Sequence, residues 1–288
     1  MEKKVLLAVT LSIAVILVYP MILAKINPNL SSPIQRPQVV EKQVVVEKTI
    51  DVKTKETELV NALPSSALTE NFSTDRYDLD VTNIGGSISR VLVKDFKRKS
   101  DIALVTKAIR SAGILSIDGK DMLSGMSSQV FQIHNDTQTF SLENNSLKLE
   151  KRVSFLKDKY GLDAVIKITN KTVENQNLSF DLTTGSNISK NELYETKYIE
   201  LDIHYKDGTV KRLTGNKLLI YNRLYKNDID WIAFKNKYYT IIAKPVFDSK
   251  GIFTKDIAGE PTLGFIVEDD KIAAGETRLY KINLYIGP

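Results

Sequence analysis

The sequence predicts an antiparallel β-sandwich as its main domain, held behind an amino-terminal membrane anchor. Three observations predict it. A charge-free apolar stretch lies at the amino end, and a polar stretch bearing prolines follows it. From about Phe72 onward, apolar and polar residues alternate with period two in about a dozen short segments separated by turn residues. The 288 residues are 42% hydrophobic and 26% charged, which suits one large folded domain with appendages. Forty basic and 35 acidic residues are interspersed, for a net charge of +5, so no nucleic-acid partner is implied. The absence of cysteine excludes disulfides, thiolate metal sites and a cysteine nucleophile.

The anchor is VLLAVTLSIAVILVYPMILA, Val5 to Ala24, twenty residues without a charge after Lys3 and Lys4. At about 1.5 Å per residue this reaches across the roughly 30 Å of a bilayer core. Its apolar surface is carried by Val5, Leu6, Leu7, Val9, Leu11, Ile13, Val15, Ile16, Leu17, Val18, Tyr19, Met21, Ile22 and Leu23, which leaves no polar face for a buried soluble helix. A cleaved signal peptide would have a shorter core of about 7 to 15 residues and an A-x-A-like exit, whereas here the exit is ILAKIN. Lys3 and Lys4 before the span place the short tail in the cytoplasm, and everything after Lys25 outside it. Residues 1–24 are therefore assigned to tail and anchor.

Residues 25–70 carry Pro28, Pro33, Pro37 and Pro64, six basic and six acidic residues, and no aromatic residue. Their apolar residues are mostly valine and isoleucine, too little bulk for a core, so this stretch is expected to be an extended linker. The sandwich is expected over 71–288. Its first strands are announced by YDLDVTNIGGSISRVLVKDF, where Tyr77, Leu79 and Val81 alternate before Gly85 and Gly86, and a second strand runs from Ile88 to Phe96. The same alternation recurs in SQVFQIHND, SLKLEKRVSFLKD, LDAVIKITNKT, NLSFDLTTGS, KYIELDIHYKDG, TVKRLTGNK, YYTIIAKPVFD, TLGFIVEDD and TRLYKINLYIGP. Asn144 with Asn145, Asp207 with Gly208 and Ala274 with Gly275 mark turns between them. The segment SDIALVTKAIRSAG fits both a helix and a strand.

The residues offer little for catalysis. The two histidines, His134 and His204, each fall on the polar phase of a strand, the first beside Gln132 and the second beside Glu200 and Asp202, as solvated side chains would. Gly85 and Gly86 lie between two strands, as in a hairpin turn and unlike a phosphate-binding loop. No phosphate-loop, serine-hydrolase or zinc-hydrolase motif occurs. Trp231, the one tryptophan, stands in the aromatic run NDIDWIAFKNKYYTIIAKP, where filling a core is the ordinary role. No catalytic, cofactor-binding or metal-binding residue is expected.

Three stretches in order resemble the large periplasmic domain of YidC-type bacterial membrane protein insertases. NFSTDRYDLDVTNIGGSISRVLVKDF is similar to that family's opening strand pair with Gly85 and Gly86 at its turn. DWIAFKNKYYTIIAKP is similar to its pattern of tryptophan, aromatic and terminal proline, here Trp231, Tyr238 and Pro245. AAGETRLYKINLYIGP resembles its closing strand and exit at Gly287 and Pro288. These positions are expected to be structural. The resemblance implies a β-supersandwich of the galactose mutarotase-like kind behind one transmembrane helix. It also implies a place in the bacterial inner membrane, with the amino terminus cytoplasmic and the main domain periplasmic. The implied partners are the Sec translocon with its accessory subunits and nascent membrane-protein clients, without a cofactor or nucleic acid. In that family the inserting groove and its arginine lie in five further transmembrane helices. That region is expected to be absent from this chain, so no active residue is carried over. The alternatives are a membrane-anchored carbohydrate-binding or mutarotase-like sandwich protein and an envelope scaffold.

Overall fold

Alternation of apolar and polar residues makes a chain fold as strands with one buried face, and eighteen strands appear among the described residues. The computed structural model describes residues 67–94, 103–104, 113–134, 138–156, 159–186, 188, 198–219, 222–257 and 260–288. The anchor assigned to 1–24 and the linker assigned to 25–70, apart from its last four residues, lie outside them. Among the described residues no helix is long and apolar enough to cross a membrane.

In chain order the strands are β1 (Thr69–Ser73), β2 (Tyr77–Thr82), β3 (Ser87–Val93), β4 (Ala103–Leu104), β5 (Ile117–Gly119), β6 (Gln132–His134), β7 (Thr139–Glu143), β8 (Leu147–Phe155) and β9 (Gly161–Asn170). They continue as β10 (Gln176–Ser186), β11 (Glu200–Tyr205), β12 (Val210–Thr214), β13 (Arg223–Tyr225), β14 (Ile229–Lys235), β15 (Thr240–Pro245), β16 (Gly251–Ile257), β17 (Glu260–Ile272) and β18 (Thr277–Gly287). Of the segment that fits both helix and strand, Ala103 and Leu104 form β4, paired with β3.

All strand ladders are antiparallel, as predicted, and they divide into three sheets. A four-stranded sheet has the order β1-β2-β3-β4, a five-stranded sheet β13-β16-β17-β10-β5, and a nine-stranded sheet β12-β11-β14-β15-β18-β9-β8-β7-β6. The five-stranded sheet packs on the nine-stranded one through edge-to-face rings. Phe180 of β10 meets Tyr280 of β18 at 5.1 Å, and Phe247 touches both Phe265 and Tyr280. The four-stranded sheet covers the β6 to β8 end of the large sheet, and the Tyr77 hydroxyl ties it to β18 by donating to the Ile286 carbonyl at 2.8 Å. Buried Asp181 on β10 holds Arg223 of β13 and Lys255 of β16 at 3.0 and 2.9 Å. Turn residues act as their chemistry dictates. Asn144 Oδ1 accepts from the backbone N–H of Ser146 and Leu147, and Asp207 Oδ1 accepts from that of Thr209 across Gly208, whose φ is +85°.

Candidate functional site

The turn between β2 and β3 is built differently from a two-residue hairpin. It spans Asn83 to Gly86, with Gly85 at φ +68° and Gly86 at φ +50°. A Cβ on Gly85 would lie 2.7 Å from the Ser127 carbonyl oxygen, and one on Gly86 would lie 2.9 Å from the Phe131 ring. Both conformation and contact therefore call for glycine. The turn is also pinned from below. On β8, Leu147, Leu149 and Val153 face the core, and Lys151 shares their phase with no exposed surface. Its ammonium donates to the carbonyls of Gly85 at 2.6 Å, Gly86 at 3.3 Å and Leu115 at 2.8 Å, and lies 4.8 Å from the centre of the Phe131 ring. Burial pulls its pKa down to about 7, while the carbonyl oxygens and the ring face favour the charged form.

Beside this clamp the four-stranded and nine-stranded sheets enclose a cavity of about 270 Å³. Phe72, Val81 and Ile88 come from β1, β2 and β3, and Ile133, Phe140, Val153 and Phe155 come from β6, β7 and β8. The rings of Phe72 and Phe155 stack at 5.3 Å. Glu70, Asn71, His134 and Gln138 complete the lining. His134 is half-buried, with Nε2 2.8 Å from Ser141 Oγ, so it is not the freely solvated side chain that its phase suggested. Phe140 pairs in register with Lys151, so the clamp stands directly behind the cavity wall.

The second expected cluster spreads over the outer face of the large sheet. Trp231 is not in the core. On β14, Ile232 and Phe234 take the inward positions, so Trp231 points outward and stacks on His204 of β11 at 4.6 Å. His204 is thus half-covered, against the expectation of a solvated strand histidine, and its enclosed Nδ1 has no hydrogen-bond partner among the described residues. Next to it Asp202 accepts from Arg212 at 2.8 Å and pairs with Lys235 at 2.7 Å. Burial raises the Asp202 carboxyl pKa, but the hydrogen bonds from Arg212 and Lys235 outweigh burial and hold it below the usual carboxylate value. Tyr238 sits in the turn between β14 and β15, where Asn236 Oδ1 accepts its N–H at 2.8 Å. Pro245 ends β15 opposite Ile282, and Gly287 lies opposite Thr240. A Cβ on Gly287 would meet the Tyr160 ring at 2.9 Å, and the Tyr285 hydroxyl donates to the Pro288 carbonyl. These positions share three neighbouring strands, while Gly85 and Gly86 lie elsewhere.

Lys151 and the cavity did not emerge from the sequence pattern. The signal for Lys151 was present, because a lysine standing in phase with Leu147, Leu149, Val153 and Phe155 is an anomaly on a buried face. Among the described residues, no three of His, Asp and Glu gather as metal ligands would.

The fold places the chain among galactose mutarotase-like antiparallel sandwiches. It is similar to a galactose mutarotase related enzyme from Lactobacillus acidophilus, with a TM-score of 0.55 and 10% identity over 77% of this chain and 98% of that one. A galactose mutarotase-like protein from Lactobacillus casei matches at TM-score 0.55 and 9% identity over 76% and 99%. At such identities the likeness concerns the fold alone. The model of the YidC periplasmic domain family matches residues 70–288, and the chain belongs to that family. A search among curated proteins finds no match. Membership implies a membrane-associated periplasmic location for this domain.

Proposed function

We propose that this chain is the amino-terminal periplasmic part of a YidC-type insertase, a module that assists insertion and folding of inner-membrane proteins alone or with the Sec translocon. The observation that carries this reading is the family match across 70–288. Its role is binding and positioning without chemical catalysis. What supports that part is the surroundings of the histidines, since an epimerase-like site would set a histidine acid and a carboxylate base about one sugar. His134 Nε2 lies 2.8 Å from Ser141 Oγ and His204 stacks on Trp231, and among the described residues neither pairs with a carboxylate. The amino-terminal anchor would hold the module at the periplasmic face of the inner membrane, with the amino terminus in the cytoplasm.

The test is a photocrosslinking amino acid introduced at Phe72, Trp231 or Tyr285 of the insertase in its native membrane during synthesis of a membrane-protein client. Crosslinks from this domain to the client or to translocon subunits are expected. No crosslink to either, together with anomer interconversion by the purified chain that His134→Ala abolishes, would replace the reading with the mutarotase-like one.

A further inference from the structure

We infer that the cavity between the four-stranded and nine-stranded sheets is a binding site for an extended peptide segment, which places a bulky apolar side chain between the sheets and lays its backbone along a free strand edge. This deepens the function proposed above and rests on it only for the identity of the peptide, a client segment that has not yet folded.

Volume is the first argument. Folded interiors are close-packed, with few voids larger than a water molecule, and an apolar cavity of about 150 Å³ already takes benzene. At about 270 Å³, walled by three phenylalanine and four isoleucine or valine side chains from two different sheets, this one has room for a whole aromatic or branched side chain. Water would find few partners inside, since seven of the eleven lining residues are apolar.

The frame of the mouth says what kind of molecule bears that side chain. Glu70, Asn71 and Phe72 belong to β1, the last strand of the four-stranded sheet, and Ile133 and His134 belong to β6, the last strand of the nine-stranded sheet. Both of these edge strands therefore border the cavity. Among the described residues neither strand has a second ladder partner, and an unpaired edge accepts an incoming extended chain through backbone hydrogen bonds. Charge points the same way. The cavity is lined by no lysine or arginine among the described residues, so the mouth offers an anionic head group no cationic partner. Gln138 instead presents an amide, which suits the neutral backbone of a peptide, while the Asn71 amide donates to Asp80 Oδ1 at 3.0 Å.

The back wall is suited to holding this slot in shape. Lys151 fastens the Gly85–Gly86 turn and Leu115 to β8, and its register neighbour Phe140 is part of the lining.

The test titrates the full 288-residue chain, labelled at isoleucine and valine methyls, with a capped heptapeptide that alternates threonine and phenylalanine. The methyl resonances of Val81, Ile88, Ile133 and Val153 are expected to shift together. Val153→Phe, which fills the cavity from β8, is expected to weaken binding about tenfold or more, the scale on which hydrophobic pockets discriminate by fit. Val81→Phe fills it from β2 and serves if the first variant fails to fold. A peptide methylated on alternate backbone nitrogens keeps its rings and is expected to lose binding. Unshifted cavity methyls, or equal binding by the methylated peptide, would overturn the proposal. So would decanoate shifting these methyls where the peptide does not, since the occupant would then be a lipid chain. The readout is binding, so its failure leaves client crosslinks elsewhere on the domain intact, and failure of the insertase reading leaves peptide binding intact.

Discussion

At position 151 a lysine ammonium has exchanged water for three backbone carbonyls and an aromatic face, with no carboxylate among the partners its hydrogen bonds reach. Lys151→Met keeps most of the volume but leaves the Gly85, Gly86 and Leu115 carbonyls without this donor. A loss of about 2–4 kcal/mol is expected, measured by urea unfolding. The pH dependence has a definite sign. Because burial puts the folded pKa at about 7, below the ordinary lysine value of 10.5, the unfolded chain binds the proton more tightly. Between these values stability rises with pH. The contribution is fully present above 10.5 and is lost as pH falls through about 7, and Lys151→Met is expected to flatten this rise in the urea midpoint. At position 231 the outcome is set by register. Phe234→Ala empties a fully buried site and is expected to cost about 3–5 kcal/mol. Trp231→Ala removes a half-exposed ring from a stack with His204 and is expected to cost about 1 kcal/mol. Thermal unfolding of both variants, with equal losses, would restore Trp231 to the core.

Strands were visible in the sequence because each one buries a single face, and the period of two is set by the pleat itself. Turns were visible where one residue carries the geometry, as at Gly208 and Gly275, both in the left-handed region. The element that escaped this logic is the β2–β3 turn. Its glycines were legible, but the reason for two of them was not, because it lies in Ser127 and Phe131, more than forty residues further along. Gly208→Ala, which meets nothing within 4 Å, is expected to cost about 1 kcal/mol from backbone conformation alone. Gly85→Ala adds a clash with a backbone carbonyl to the same conformational cost. It is expected to lose at least about 1 kcal/mol more. Equal unfolding midpoints for the two variants would show that the turn is not pressed against Ser127. The run from Asp230 to Lys235 was ambiguous for another reason. Trp231, Ile232, Ala233 and Phe234 are all apolar, so alternation cannot say which pair faces inward.

Across the whole molecule, function depends on surfaces that no single strand contains. The peptide slot needs β1 of one sheet and β6 of another. The test of the slot by Val153→Phe and of the domain by client crosslinking therefore belong at this scale, and both read out contacts between sheets and partners. By itself the sequence determined an antiparallel sandwich, the positions of most strands and turns, and the family resemblance, because local alternation, turn chemistry and motif order are properties of short stretches. Only the tertiary structure decided how the strands divide among three sheets, which face Trp231 takes, and that Lys151 is buried beneath Gly85 and Gly86. The physical reason is that pairing partners such as β9 with β18 and β11 with β14 are chosen by the packing of the whole core, across long stretches of intervening chain.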